Sequence, residues 1–120
     1  MGHHIIVLGA GGIASAVGLI LAEWSNVPLQ IYIGNRTLEK AQKVVKWIEE
    51  GTGRALEVRA FTLSEGEPTK EMQRVFSQGD VLLDCLPGSL APKMAAYARE
   101  YKLHYVNLTE YVAETNEIIQ

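Results

Sequence analysis

Two kinds of apolar run alternate along this chain. Ile5-Ile6-Val7-Leu8 and Asp80-Val81-Leu82-Leu83-Asp84-Cys85-Leu86 are continuous and short, the pattern of strands covered on both faces. Leu29 to Gly34, through Leu29, Ile31, Tyr32 and Ile33, and Leu103 to Leu108 read as two more. Arg54 to Phe61 differs. Leu56, Val58 and Ala60 point one way, Glu57 and Arg59 the other, as in an edge strand with one wet face. Between these runs apolar residues recur three and four apart, which predicts helices. Gly12 to Trp24 carries Ile13, Ala16, Val17, Ile20, Leu21 and Trp24 at that spacing. Leu38, Ala41, Val44, Val45 and Ile48 form the next inner stripe, with Thr37 as its N-cap and Gly51 as its C-cap. Thr69 to Gln78 offers a short helix through Met72, Val75 and Phe76, closed by Gly79. Leu90, Met94, Tyr97 and Tyr101 mark a fourth, and Thr109 stands where it can cap a last one through Val112, Thr115 and Ile119.

Strand and helix therefore alternate throughout. A strand that returns to its sheet through a helix lies parallel to its predecessor, with a right-handed crossover. The expected fold is an α/β, doubly wound parallel sheet of Rossmann type, with five strands in the order 3-2-1-4-5 and residues 1–120 as one domain. Its ligand crevice opens beside strands one and four, where the order reverses.

The turn after strand one carries the chemistry. Gly9-x-Gly11-x-x-Ala14 matches the dinucleotide fingerprint with alanine in its third place. The first glycine permits the tight turn, the second admits a pyrophosphate to the backbone, and the third small residue lets helix and strand pack closely. Gly9, Ala10, Gly11, Gly12, Ile13 and Ala14 are accordingly the candidate pyrophosphate contacts, facing the unpaired N–H groups and positive dipole end of the helix.

The end of strand two bears on which dinucleotide. NAD-binding versions of this fold place a carboxylate there, about 20 residues beyond the glycines, to hold the adenosine ribose. This chain places Asn35, Arg36 and Thr37 there, with Lys40 one helical turn further. A carboxylate repels a 2′-phosphate, whereas a guanidinium holds it by charge-assisted hydrogen bonds. NADP is the expected cofactor, with NAD as the alternative. Leu86 and Pro87, after strand four, are placed to line the nicotinamide-side ribose, and Leu63 and Ser64, after strand three, to flank the adenine.

Composition narrows the field. Apolar residues make up 48% of the chain, enough for an ordinary core, and a net charge of −3 with scattered Lys and Arg gives no basic stripe for nucleic acid. No apolar run approaches the ~20 residues of a membrane span, and no signal peptide opens the sequence, so a cytoplasmic location is expected. Cys85 is the single cysteine, which rules out an internal disulfide, and no Cys or His spacing fits zinc. Cys85 reads as a small hydrophobe and His104 as a packed or surface residue, while the paired His3 and His4 receive no role. Glu110 and Tyr111 follow strand five on the crevice side.

Four segments together resemble the N-terminal nucleotide-binding domain of the saccharopine dehydrogenase family: Val7-Leu8-Gly9-Ala10-Gly11-Gly12, Asn35-Arg36-Thr37-Leu38-Glu39-Lys40-Ala41, Asp80-Val81-Leu82-Leu83-Asp84-Cys85-Leu86-Pro87, and His104-Tyr105-Val106-Asn107-Leu108-Thr109-Glu110-Tyr111. The Asn-Arg-Thr triplet also resembles shikimate dehydrogenases. The resemblance implies an NADP(H)-binding domain of an oxidoreductase acting on a C–N bond, by amine or imine redox. By analogy Gly9, Gly11, Gly12, Ile13 and Ala14 meet the pyrophosphate, Arg36 and Thr37 the 2′-phosphate, and Leu86 and Pro87 the inner ribose. Family enzymes continue into a sixth strand and a substrate domain, which these residues do not include, so no catalytic residue is carried over. The alternative is a stand-alone nucleotide-sensing module, in the manner of the NAD-binding domains that gate potassium transport. In either case strand five, with Tyr105, Val106 and Leu108, is an exposed edge, expected to pair in a homodimer or to be masked by residues 110–120.

Overall fold

Ile5 and Val7 face one side of the sheet and Ile6 and Leu8 the other, and all four are buried. That double burial fixes the first strand, β1 (His3–Leu8), as the centre of the molecule. The computed structural model describes residues 3–9, 11–24, 29–52, 57–64, 66–86 and 90–108. Along the chain β1 is followed by α1 (Gly12–Trp24), β2 (Leu29–Asn35), α2 (Leu38–Gly51), β3 (Glu57–Thr62), α3 (Lys70–Gln78), β4 (Val81–Asp84), α4 (Ala91–Glu100) and β5 (His104–Asn107). The strands pair in parallel in the order β3-β2-β1-β4-β5, as the alternation predicted. The helix expected over the last residues lies outside the described residues, as does the first half of the expected third strand.

Each face of the sheet carries its own core. On one, Ile5, Val7, Ile31 and Ile33 pack with Ala14 and Ala22 of α1 and Ala41, Val44 and Ile48 of α2. On the other, Ile6, Leu8 and Leu82 pack with Met72 and Phe76 of α3 and Met94 and Tyr97 of α4, where the Phe76 ring meets Phe61, Tyr97 and Tyr101. β3 is an edge strand as expected. Glu57 and Arg59 are exposed and 3.8 Å apart, while Val58 is buried. β5 forms the other edge, with Val106 exposed.

Several local expectations are corrected. The buried positions of α1 are Ala14, Gly18 and Ala22, with Val17 and Leu21 half-buried against the same core, whereas Ile20 is 57% exposed. A Cβ on Gly18 would strike the Cδ1 of Ile48, so α1 and α2 meet through a missing side chain. Leu38 is exposed rather than part of the inner stripe of α2. Thr37 occupies the N-cap of that helix with an extended backbone, but its hydroxyl makes no capping bond. Gly51 is the last helical residue rather than the cap, which is Thr52, and a Cβ there would lie 2.9 Å from Leu19. Thr69 does cap α3, its hydroxyl accepting from the Met72 N–H at 3.1 Å. His3 and His4, given no role, belong to β1, where the His4 ring stacks on Tyr32 at 5.9 Å.

Candidate dinucleotide site

The carboxyl ends of β1, β2 and β4 are tied together at the turn that follows β1. Gly9 has φ +118°, a conformation that side chains rarely tolerate, and its N–H donates to the Gly34 carbonyl at 2.7 Å. The Cys85 N–H in turn donates to the Leu8 carbonyl at 2.9 Å. Ala14 is fully buried, as the third small position of the motif requires. Gly11 and Gly12 are different. Both are exposed, and a Cβ on either would meet nothing within 4 Å. Among the described residues nothing packs where a side chain at these two positions would lie. Beside them α1 begins, with no acidic residue in its first turn to offset the positive end of its dipole. Ala10 and Pro87 lie outside the described residues, as does the side chain of Ile13.

At the end of β2 the chain turns under constraint. A Cβ on Gly34 would strike the Phe61 ring, so the strand passes beneath that ring bare. The Asn35 amide donates to the Thr37 carbonyl at 3.2 Å, and the Asn35 carbonyl accepts from the Leu63 N–H at 2.8 Å. These bonds shape a short loop that leaves Arg36 and Thr37 exposed. Arg36 also lines a cavity of about 140 Å³ with Leu63 and Ser64 after β3 and Leu90, Lys93 and Met94 at the start of α4. The structure thus gathers Arg36, Leu63 and Ser64, which the sequence had placed on separate loops. It adds an α4 wall that the sequence reading missed. Lys40 is not among these residues.

β4 ends in a buried carboxylate that the sequence reading also missed. Asp84 is fully buried, accepting the Leu86 N–H at 3.0 Å and the Tyr105 hydroxyl at 2.6 Å. An acid closing an otherwise apolar run is the signal that marks it. Burial, and then the bond to Asp84, push the Tyr105 hydroxyl well above the usual phenol range. Leu86 has its side chain in the core, so it offers a ligand its backbone alone. Burial, with Asp84 adding to it, raises the Cys85 thiol to about 11, the environment of an inert thiol.

An open cleft of about 790 Å³ lies elsewhere, between α2, α3 and the β3 edge. It runs past Gln30, Tyr32, Glu57 and Arg59, away from the glycine turn. Among the described residues no group of three His, Cys, Asp or Glu can hold a metal ion. No helix among them is long and apolar enough to cross a membrane.

The sheet order and the glycine turn define a doubly wound, dinucleotide-binding type of domain. The chain belongs to the saccharopine dehydrogenase NADP binding domain family, whose model matches residues 5–120. A shikimate dehydrogenase (NADP(+)) of Methanopyrus kandleri is 33% identical over 91 residues, 76% of this chain and 29% of that protein. The chain thus spans less than a third of that relative's length. Among solved structures, apo saccharopine dehydrogenase (L-Glu forming) of Saccharomyces cerevisiae superposes with a TM-score of 0.70 at 22% identity, over 92% of this chain and 22% of that one. Shikimate 5-dehydrogenase of Listeria monocytogenes, solved with shikimate and NAD, gives a TM-score of 0.64 at 17% identity, over 89% and 46%. The domain is an NADP-binding domain of the saccharopine dehydrogenase type.

Proposed function

We propose that this chain holds NADP(H) for an oxidoreductase that transfers hydride at a C–N bond. The observation that carries the reading is the contrast among the glycines. Gly9, Gly18 and Gly34 are demanded by neighbouring protein atoms, whereas Gly11 and Gly12 face open space beside a helix N-terminus. A diphosphate fits that requirement, because it needs close approach to bare amides.

The remaining contacts are assigned from the motif and its place in the fold. Gly9, Ala10, Gly11, Gly12, Ile13 and Ala14 surround the pyrophosphate. Asn35 shapes the loop from which Arg36 and Thr37 meet the 2′-phosphate. The adenine enters the cavity walled by Leu63, Leu90 and Met94, and the backbone at Leu86 and Pro87 borders the inner ribose. When bound, the nicotinamide supplies or accepts the hydride. The C–N assignment leans on the family match and on the likeness of the fold to a saccharopine dehydrogenase (L-Glu forming).

Thermal unfolding with each cofactor tests this. NADPH at a hundredfold excess over its dissociation constant should raise the unfolding free energy by about 2.7 kcal/mol. Arg36→Ala should remove most of the NADPH effect and spare that of NADH. Equal loss for both would overturn the 2′-phosphate assignment, and no stabilisation of the unmodified chain by either would overturn the dinucleotide reading.

A further inference from the structure

We propose that the open edge of β3 pairs antiparallel with the same edge of a second copy of this chain, about a two-fold axis at Val58, so that Glu57 of each copy faces the partner's Arg59. The inference is independent of the cofactor reading, because this edge lies away from the glycine turn.

β3 stands at the end of the strand order and pairs with a strand on one side only. The Leu63 N–H donates toward β2, to the Asn35 carbonyl, so alternation along the strand turns the backbone N–H and C=O groups of Val58 and Ala60 away from the sheet. Natural edges are blunted by proline, lysine or a bulge. β3, Glu57-Val58-Arg59-Ala60-Phe61-Thr62, has neither proline nor lysine, and its register with β2 runs without a bulge. The cleft of about 790 Å³ between α2 and α3 runs along this strand and leaves its edge open to approach.

The charges choose the occupant. Glu57 and Arg59 are exposed on one face of the strand, opposite in sign and two residues apart. In an antiparallel pair centred on Val58, the two Val58 residues form a hydrogen-bonded pair. Each Glu57 then lies directly across from the partner's Arg59 in a non-hydrogen-bonded pair, where side chains come closest. Centring the axis on Ala60 instead sets Arg59 against the partner's Phe61 and loses both matches. The helices repeat the pattern. α2 lines the cleft with Lys46 and Glu49, and α3 with Glu71 and Arg74, so all three elements bring one base and one acid. A two-fold axis reverses that order and makes the surface complementary to itself, whereas a uniformly acidic or basic partner meets as much repulsion as attraction. The β5 edge, His104-Tyr105-Val106-Asn107, holds no acid and offers no such match.

Sedimentation velocity of the full chain over a concentration series tests the inference. The unmodified chain should dimerise reversibly. Glu57→Arg and Arg59→Glu, which set like charges against each other across the axis, should each raise the dimer dissociation constant about tenfold or more. An equimolar mixture of the two variants should recover dimer, because arginines on one strand then face glutamates on the other. The double variant Glu57→Arg/Arg59→Glu should pair with itself like the unmodified chain. Both positions are exposed, so circular dichroism and urea midpoints should show every variant folded like the parent. An unmodified chain that stays monomeric throughout the series overturns the inference. Dimers that neither reversal weakens place the contact elsewhere, the β5 edge included, and overturn it too, as does a mixture that fails to recover what each variant lost.

Discussion

Gly9 passes so close beneath Cys85 that a Cβ on it would lie 3.0 Å from the Cys85 carbonyl oxygen, with a backbone φ of +118°. Two independent penalties therefore meet at one position, and the obstructing atom is backbone that cannot rotate away. Gly9→Ala should lose about 1–3 kcal/mol of unfolding free energy, read from urea midpoints. Gly11→Ala, whose Cβ would meet nothing within 4 Å, should stay within about 0.5 kcal/mol of the unmodified protein and yet bind NADPH more weakly. A Gly11→Ala protein as unstable as Gly9→Ala would make both glycines structural and remove the main support for a phosphate cradle.

Asp84 is held by Tyr105 as much as Tyr105 is held by Asp84. The hydroxyl at 2.6 Å satisfies a carboxylate with no access to solvent, and it joins the end of β4 to β5. Tyr105→Phe removes a donor from a buried charge and should lose about 1.5–3 kcal/mol, measured by urea unfolding at pH 7. A loss below about 0.5 kcal/mol would mean that Asp84 finds water or another donor without difficulty.

The Cys85 thiol has a definite alkaline signature. Its pKa is raised from 9.0 to about 11 by burial and then by Asp84, so the folded state favours the neutral thiol. Stability from this group is present in full below pH 9 and is lost as pH rises through 11. Cys85→Ala should flatten that alkaline decline between pH 9 and 11 in urea titrations. Iodoacetamide at pH 8 should alkylate the folded protein about 100-fold more slowly than a small free thiol, since each pKa unit removes tenfold of thiolate. Labelling at the rate of a free thiol would show that the burial is not maintained in solution.

Much of the architecture was legible because it depends on local signals. Ile5 to Leu8 form a branched apolar run, and such a run ending in glycine has few alternatives to a buried parallel strand with a phosphate-type turn. Handedness and strand order then follow from general rules. The fine orientation of α1 was not legible, because that helix is apolar almost all round and its periodicity cannot choose a face. Gly18 and Ala22 are inside because α2 lies close, a tertiary fact that hydropathy does not carry. The α4 wall of the cavity was missed for a similar reason. Lys93 and Arg36 are far apart in sequence, and only the crossover brings Leu90, Lys93 and Met94 to face the end of β2.

The contact between α1 and α2 predicts a change of sign. In the unmodified protein Gly18→Ala forces the fully buried Ile48 to move its Cδ1, an overpacking penalty of about 1–3 kcal/mol. Alanine returns only about 1 kcal/mol of helix propensity, so Gly18→Ala should be destabilising. Ile48→Val deletes the offending methyl at a loss of about 0.5–1.5 kcal/mol. In that background Gly18→Ala should instead stabilise, by up to about 1 kcal/mol, because the helix propensity remains and only a tight contact of 3.3 Å with Cγ1 is left of the clash. A four-way comparison of urea unfolding reads the coupling directly. Ile20→Ser, at a position 57% exposed, should shift stability by no more than about 0.5 kcal/mol despite its bulk. An additive result for Gly18 and Ile48, or a large loss at Ile20, would place a different face of α1 against α2 and the sheet.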